Sequence, residues 1–142
     1  MTFANEAECI ARARTFSETR VAQAAAGWSM GEGPAPELFL EAGQLGLLGI
    51  EVPVGRGGSG LEFSARAGAC EALAAADFGF AMSLVNTHNL ALRLARSAPA
   101  ALADRYVPEL VSGRMGGCAA LTEPGAGSDL AAMTTRAERF QT

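Results

Sequence analysis

The chain contains no lysine; all 11 basic residues are arginines, set against 15 acidic residues for a net charge of −4. The arginines are scattered, so no basic stripe exists to neutralise a phosphate backbone. Aromatic residues make up 6% of the chain, too few for base stacking, and together these scarcities exclude nucleic acid as a partner. Histidine occurs once, as His88, and the three cysteines Cys9, Cys70 and Cys118 form no C-x-x-C pair. A zinc site is therefore excluded, and an odd number of dispersed thiols fits a reducing compartment. No uninterrupted apolar run reaches the ~20 residues of a membrane span. Glu6 and Glu8 stand before Arg12 where a secretory signal would need a basic and then an apolar region. The expected setting is cytoplasmic.

What remains is a chain of 142 residues with 49% hydrophobic content, enough for a core of ordinary size. Ala, Glu and Arg dominate from Asn5 to Ala26, with Ile10, Ala13, Ser17, Val21 and Ala24 as a weak apolar stripe, and predict a helix. The stretch Gly27 to Ala35, GWSMGEGPA, reads as a loop. Pro36 suits the first position of a second helix that fades at Gly46. A third helix, Ser64 to Ala76, carries Ala65, Ala69 and Leu73 at spacings of four. A fourth, Phe78 to Ser97, presents Ala81, Leu84, Val85, His88, Ala91, Leu92 and Ala95 on one face. Pro99 opens a fifth, which Pro108 is expected to kink or end and Gly113 to close as its C′ residue. Beyond Gly113, Met115 to Thr122 and Thr134 to Phe140 read as short strands of a sheet begun but not completed, since two short strands are not stable alone.

Two glycine-rich stretches compete for the chemistry. Val52 to Gly60, VPVGRGGSG, contains a literal G-x-G-x-x-G at Gly55, Gly57 and Gly60. A dinucleotide fingerprint would need a strand before the loop and a second strand ending in an acid about 20 residues on. Pro53 weakens the first strand, and Asp77 is flanked by alanines and a helix, so the match is read as an interhelical turn. The better candidate is Cys118 to Leu130, CAALTEPGAGSDL. Pro124 forces the chain out of an extended run, Gly125 and Gly127 permit unusual backbone angles and close ligand approach, and Ser128 adds a hydroxyl. Free N–H groups in such a turn can form an anion-binding nest; the residues alone favour a polar surface turn.

LTEPGAGSD resembles the signature of the FAD-dependent acyl-CoA dehydrogenases. LGLLGIEVPVGRGGSG and RYVPELVSGRMGGCAALTEPGAGSD are similar to the family's segments in the same order, so the likeness runs from about Pro36. The chain departs from the family at Val54, where an acidic residue is usual, and at Ala119, often aromatic. The resemblance implies a mainly α fold. Residues 1–113 would form the family's N-terminal helical domain, and residues 114–142 the incomplete beginning of its β middle domain.

The resemblance further implies FAD as cofactor. Thr122 would bond the flavin near N5, helped by backbone at Ala119 and Leu121, while Gly127 and Ser128 would touch the cofactor and the CoA side of the substrate. Val85 and Asn89 would face the acyl group. The implied reaction, α,β-dehydrogenation of an acyl thioester in fatty acid metabolism, needs a catalytic Glu from the family's C-terminal domain. None of Glu109, Glu123 and Asp129 is assigned that role, and Glu123 is read as structural. Implied partners are acyl-CoA or an acyl carrier protein thioester, a second chain or a missing C-terminal domain, and a homo- or hetero-oligomer. Rival readings are a flavin monooxygenase on the same scaffold and a non-catalytic truncated remnant or interaction module. Asn86, Thr87, His88 and Asn89 are either a wall of the acyl pocket or a buried hydrogen-bonded cluster. Arg93 and Arg96 are read as solvated helix-face charges.

Overall fold

The computed structural model describes residues 1–28, 33–34 and 36–139. Among the described residues six α-helices form in chain order: α1 (Glu6–Phe16), α2 (Ala22–Trp28), α3 (Pro36–Gln44), α4 (Phe63–Ala74), α5 (Phe78–Ser97) and α6 (Ala100–Val111). A π-helical turn, Ser17–Val21, joins α1 to α2 without a break. Gly27 and Trp28 belong to α2 rather than to a loop. Residues 29–32 and 35 of the expected loop, and Phe140, lie outside the described residues.

Local chemistry accounts for the ends. The Asn5 side chain accepts a hydrogen bond from Glu8 N–H at 2.9 Å, while the Glu8 carboxylate accepts from Ala4 N–H, an exchange close to a capping box. Asp77 accepts from Phe80 N–H at 2.6 Å and caps α5, which gives this acid a structural use. Pro36 is the first residue of α3, as expected. α6, the fifth helix expected from the sequence, runs through Pro108 to Val111 rather than stopping. Proline removes the bond to the Asp104 carbonyl, but Asp104 is exposed, so water can serve that carbonyl. Val107 and Leu110 on either side of Pro108 are buried and hold the segment to the body.

Two apolar clusters share α5 as their spine. One gathers residues of α1, α3, α4 and the first half of α5 around Phe80. The other joins the second half of α5 to α6 and Val52. α1 packs on α4, and α5 packs on both α4 and α6. The alanines expected at the α4 interface, Ala65 and Ala69, are both 1% exposed, and their small side chains allow the close packing. Phe80 is 0% exposed. Its ring meets those of Phe39, Trp28 and Phe16 at centroid distances of 5.4, 5.6 and 6.2 Å.

No strand forms among the described residues after Gly113; the sole β feature there is an isolated bridge between Glu123 and Ala126. The strand expected at Met115 to Thr122 is an unpaired segment, as are the described residues of the one expected from Thr134. A strand is defined by ladder bonds to a neighbour, and these residues have none beside them. No helix among the described residues is long and apolar enough to cross a membrane.

Candidate functional site

The first glycine loop spends most of its donors on itself. Arg56 and Gly58 N–H groups donate to Pro53 C=O, and Gly57 N–H to Val54 C=O. Ser59, Gly60 and Leu61 N–H groups donate to the carbonyls of Gly49, Val52 and Ile50, each at 2.9 Å. A pyrophosphate cradle needs such groups free. Here they fold the loop back onto residues 49–53, and a Cβ on Gly58 would lie 2.1 Å from Val52 O. Gly57 and Gly60 turn the chain at positive φ and Gly58 permits the close approach, as an interhelical turn requires.

The second candidate, residues 118–130, is built in the opposite way. Glu123 N–H donates to Ala126 C=O at 2.8 Å, and Ala126 N–H returns the bond at 3.2 Å. The Glu123 carboxylate accepts from Thr134 N–H (2.9 Å), Thr134 Oγ1–H (3.0 Å) and Thr135 N–H (2.7 Å). Asp129 accepts from Ala131 N–H at 3.1 Å. Two acids thus staple the turn from inside, as expected for Glu123. Most other backbone donors of the segment are free: the N–H groups of Ala119, Leu121, Thr122, Gly127 and Ser128 are among those with no partner among the described residues, and these five residues are exposed. The hydroxyls of Thr122 and Ser128 are likewise unpartnered there. Gly125 and Gly127 do not adopt left-handed angles, contrary to expectation. A Cβ at either would meet nothing within 4 Å, so these glycines leave open space beside the backbone rather than turn it.

None of the three acids singled out in the sequence is arranged as a base. Donors from Thr135, the largest influence, and from Thr134 hold the Glu123 carboxyl down at about 2. The hydrogen bonds from Arg114, at 2.7 and 2.9 Å, hold Glu109 below the usual carboxylate range. Asp129 is committed to its cap. A carboxylate so well satisfied is a weak proton acceptor at neutral pH.

One tether joins this segment to the helical body. Thr87 on α5 accepts from Gly117 N–H at 3.1 Å while donating to Ser83 C=O at 3.0 Å. A Cβ on Gly117 would come within 2.6 Å of a Leu90 methyl, so any larger residue would make the Leu90 side chain shift. The tether puts the start of the turn segment on α5 between Val85 and Asn89 in sequence. Val85 is half-buried and lines a narrow crevice with Leu47, Ile50, Leu84 and His88, while Asn89 is exposed.

The cluster around His88 is the buried alternative, with two residues that spacing did not suggest. His88 is 2% exposed, and its Nε2 accepts from Glu51 N–H at 3.1 Å, so the neutral ring carries its proton on Nδ1. Arg66 Nη1 lies 3.5 Å from that nitrogen and also donates to Asn89 Oδ1. Arg66 Nε lies 2.6 Å from Glu51 Oε2. The contact is ionic and too bent for a hydrogen bond, which leaves that oxygen without a donor. Glu51 and Arg66 gave one faint signal in the sequence: a lone charge inside the apolar run Leu47 to Val52, and a lone cation in an alanine-rich helix.

Burial first, then the charges of Arg66 and Arg96, pushes the His88 imidazole down to about 3. The unfolded chain protonates this ring near 6.5, so the unfolded state binds more protons between these two values. His88 therefore contributes stability that is complete above about pH 6.5 and is lost as pH falls toward 3. From pH 7 to pH 5 the expected loss is about 2 kcal/mol. It is the only histidine, so His88→Gln should remove this dependence. Urea unfolding at the two pH values checks it; equal losses in both proteins would refute the assignment.

The profile described as acyl-CoA dehydrogenase, N-terminal domain, matches residues 4–114. Mitochondrial isovaleryl-CoA dehydrogenase of Pongo abelii is 36% identical over 104 residues, which cover 72% of this chain and 25% of that protein. A probable acyl-CoA dehydrogenase from Mycobacterium abscessus superposes with a TM-score of 0.80 at 39% identity, covering 90% of this chain and 35% of the other. A glutaryl-CoA dehydrogenase from Mycobacterium smegmatis, solved in complex with FADH2, gives 0.84 at 31% identity, covering 92% and 34%. The chain spans about a quarter of the length of the curated relative and about a third of the solved ones.

Proposed function

Given that the chain belongs to the acyl-CoA dehydrogenase family, we propose that it supplies part of a flavin and acyl-thioester site. Residues 1–113 are read as the helical domain and residues 114–142 as the opening of a second, β domain. The observation that carries the reading is the set of exposed, unpartnered donors at Ala119, Leu121, Thr122, Gly127 and Ser128. Residues with free N–H and hydroxyl groups, beside glycines whose absent Cβ leaves room, are chemically suited to the polar edge of FAD.

In this reading FAD would supply the hydride acceptor for α,β-dehydrogenation of the thioester. Thr122 would hold the flavin edge through its hydroxyl and N–H, with Ala119 and Leu121 backbone beside it. Gly127 and Ser128 would hold the cofactor and the thioester's carrier end, and Val85 and Asn89 would border the acyl group. No proton-abstracting base is assigned within this chain. Assembly with further chains and a cytoplasmic setting, suggested by the three free cysteines, belong to the same proposal.

The test is a titration of the isotope-labelled chain with FAD and then with acyl-CoA or an acyl carrier protein thioester, followed by NMR. Resonances of Leu121 to Ser128 should move first. Thr122→Ala, at an exposed position, should weaken FAD binding roughly three- to tenfold, the range for one lost hydrogen bond. Unmoved resonances, or an unchanged affinity in the variant, would overturn the assignment. The carrier that shifts Ser128 identifies the thioester.

A further inference from the structure

We infer that Asn89 is a specificity residue whose amide N–H groups are aimed outward by Arg66, favouring acyl chains that carry an acceptor oxygen over plain alkyl chains. The inference rests on the reading of α5 as one wall of a thioester site, and it names the substrate class of that site.

The orientation follows from the donor inventory. A guanidinium has five N–H donors and no acceptor, so the contact of Arg66 with Asn89 must use the amide oxygen. The amide nitrogen then faces the other way. No residue among those described accepts from it, and Asn89 is exposed. Arg66 is itself held fast. Glu51 Oε2 sits 2.6 Å from its Nε, with both side chains largely buried, and the Phe63 ring lies 5.0 Å from its Cζ. Glu51 is anchored in turn by the bond from its own N–H to His88. The series His88, Glu51, Arg66, Asn89 runs from the buried core to the rim of α5.

Burying an ion pair costs several kcal/mol of desolvation. The outcome of this pair is one fixed amide at an exposed position. That position lies about 6 Å along the helix from Val85, by the rise per residue. Val85 lines an apolar crevice with Leu47, Ile50 and Leu84. A chain lying along α5 would thus meet half-buried Val85 at the mouth of that crevice and then two oriented donors. Glu51 balances the charge of Arg66, so neutral hydroxyl and carbonyl oxygens qualify as well as carboxylates. Arg66 acts here as a positioning residue.

The experiment measures dissociation constants, by NMR titration of the full chain, for pentanoyl-CoA and for hydroxypentanoyl-CoA with the hydroxyl at carbon 3, 4 or 5. At least one hydroxy compound should bind roughly three- to tenfold tighter than pentanoyl-CoA, the range for one hydrogen bond, and should shift the Asn89 side-chain N–H₂ signals. Asn89→Leu should bring that ratio toward one. Arg66→Lys, which keeps the charge opposite Glu51 and a donor for Asn89, should retain more of it than Arg66→Met. Equal binding of all four compounds, or a ratio that survives Asn89→Leu, overturns the inference and leaves the thioester reading standing. If none of the four binds, that reading fails and takes the inference with it.

Discussion

Truncating Phe80 to alanine should destabilise the helical body by about 3–5 kcal/mol, the range for removing a fully buried aromatic side chain. The ring has no solvent exposure. It sits where α5 starts, against rings from α1, α2 and α3. Removing it leaves three aromatic partners around a void too apolar to fill with water, and each loses its tilted or edge contact. A domain of this size has only about 5–15 kcal/mol to lose, so the variant should unfold at much lower urea concentration, followed by far-UV circular dichroism. Phe80→Leu, which keeps most of the volume, should recover more than half of the loss. A Phe80→Ala protein within 1 kcal/mol of the parent would refute the central place given to this ring.

Gly113→Ala should cost about 3 kcal/mol or more, from two causes that add. Gly113 closes α6 with φ at +75°, its N–H donating to Leu110 C=O at 3.1 Å. An alanine in this left-handed region carries about 1 kcal/mol or more of strain. Its Cβ would also lie 2.0 Å from the Phe39 carbonyl oxygen, a backbone atom that moves only if α3 does. The reciprocal contact is as close: a Cβ on Gly43 would lie 2.1 Å from Ser112 O. Gly116→Ala is the control, since φ there is not left-handed and a Cβ would meet nothing within 4 Å. Thermal unfolding should show a large drop for the first variant and almost none for the second. Equal melting temperatures would refute both the strain and the close approach.

The turn at Thr122 to Asp129 was legible as a motif, and the structural role of Glu123 could be read with it. The geometry adds which groups the stapling leaves free. Its glycines proved to be spacers rather than left-handed turn formers, which no motif can distinguish. Gly55, Gly57 and Gly60 show the converse: a literal phosphate-loop pattern in which the fold consumes the N–H groups of Gly57 and Gly60. The helix that carries Val85 and Asn89 was legible from its apolar face, whereas their place beside an acyl group was implied by the resemblance alone. Arg66 and Glu51 escaped because they stand on separate segments around a loop, where spacing in the chain carries no information about distance in space.

The amino-acid sequence alone determined the helices, most of their ends and the turn. Propensity, side-chain caps, Pro36 at a first turn and Gly113 at a last one act between residues about four apart or fewer, and such interactions are written in local order. Tertiary structure alone decided the rest. It carried α6 through Pro108, withheld strands from residues 114–139, made Phe80 a hub and paired Glu51 with Arg66 beside His88. Each of these depends on which surfaces and ladder partners distant segments bring together, and on the low dielectric that packing creates once they meet.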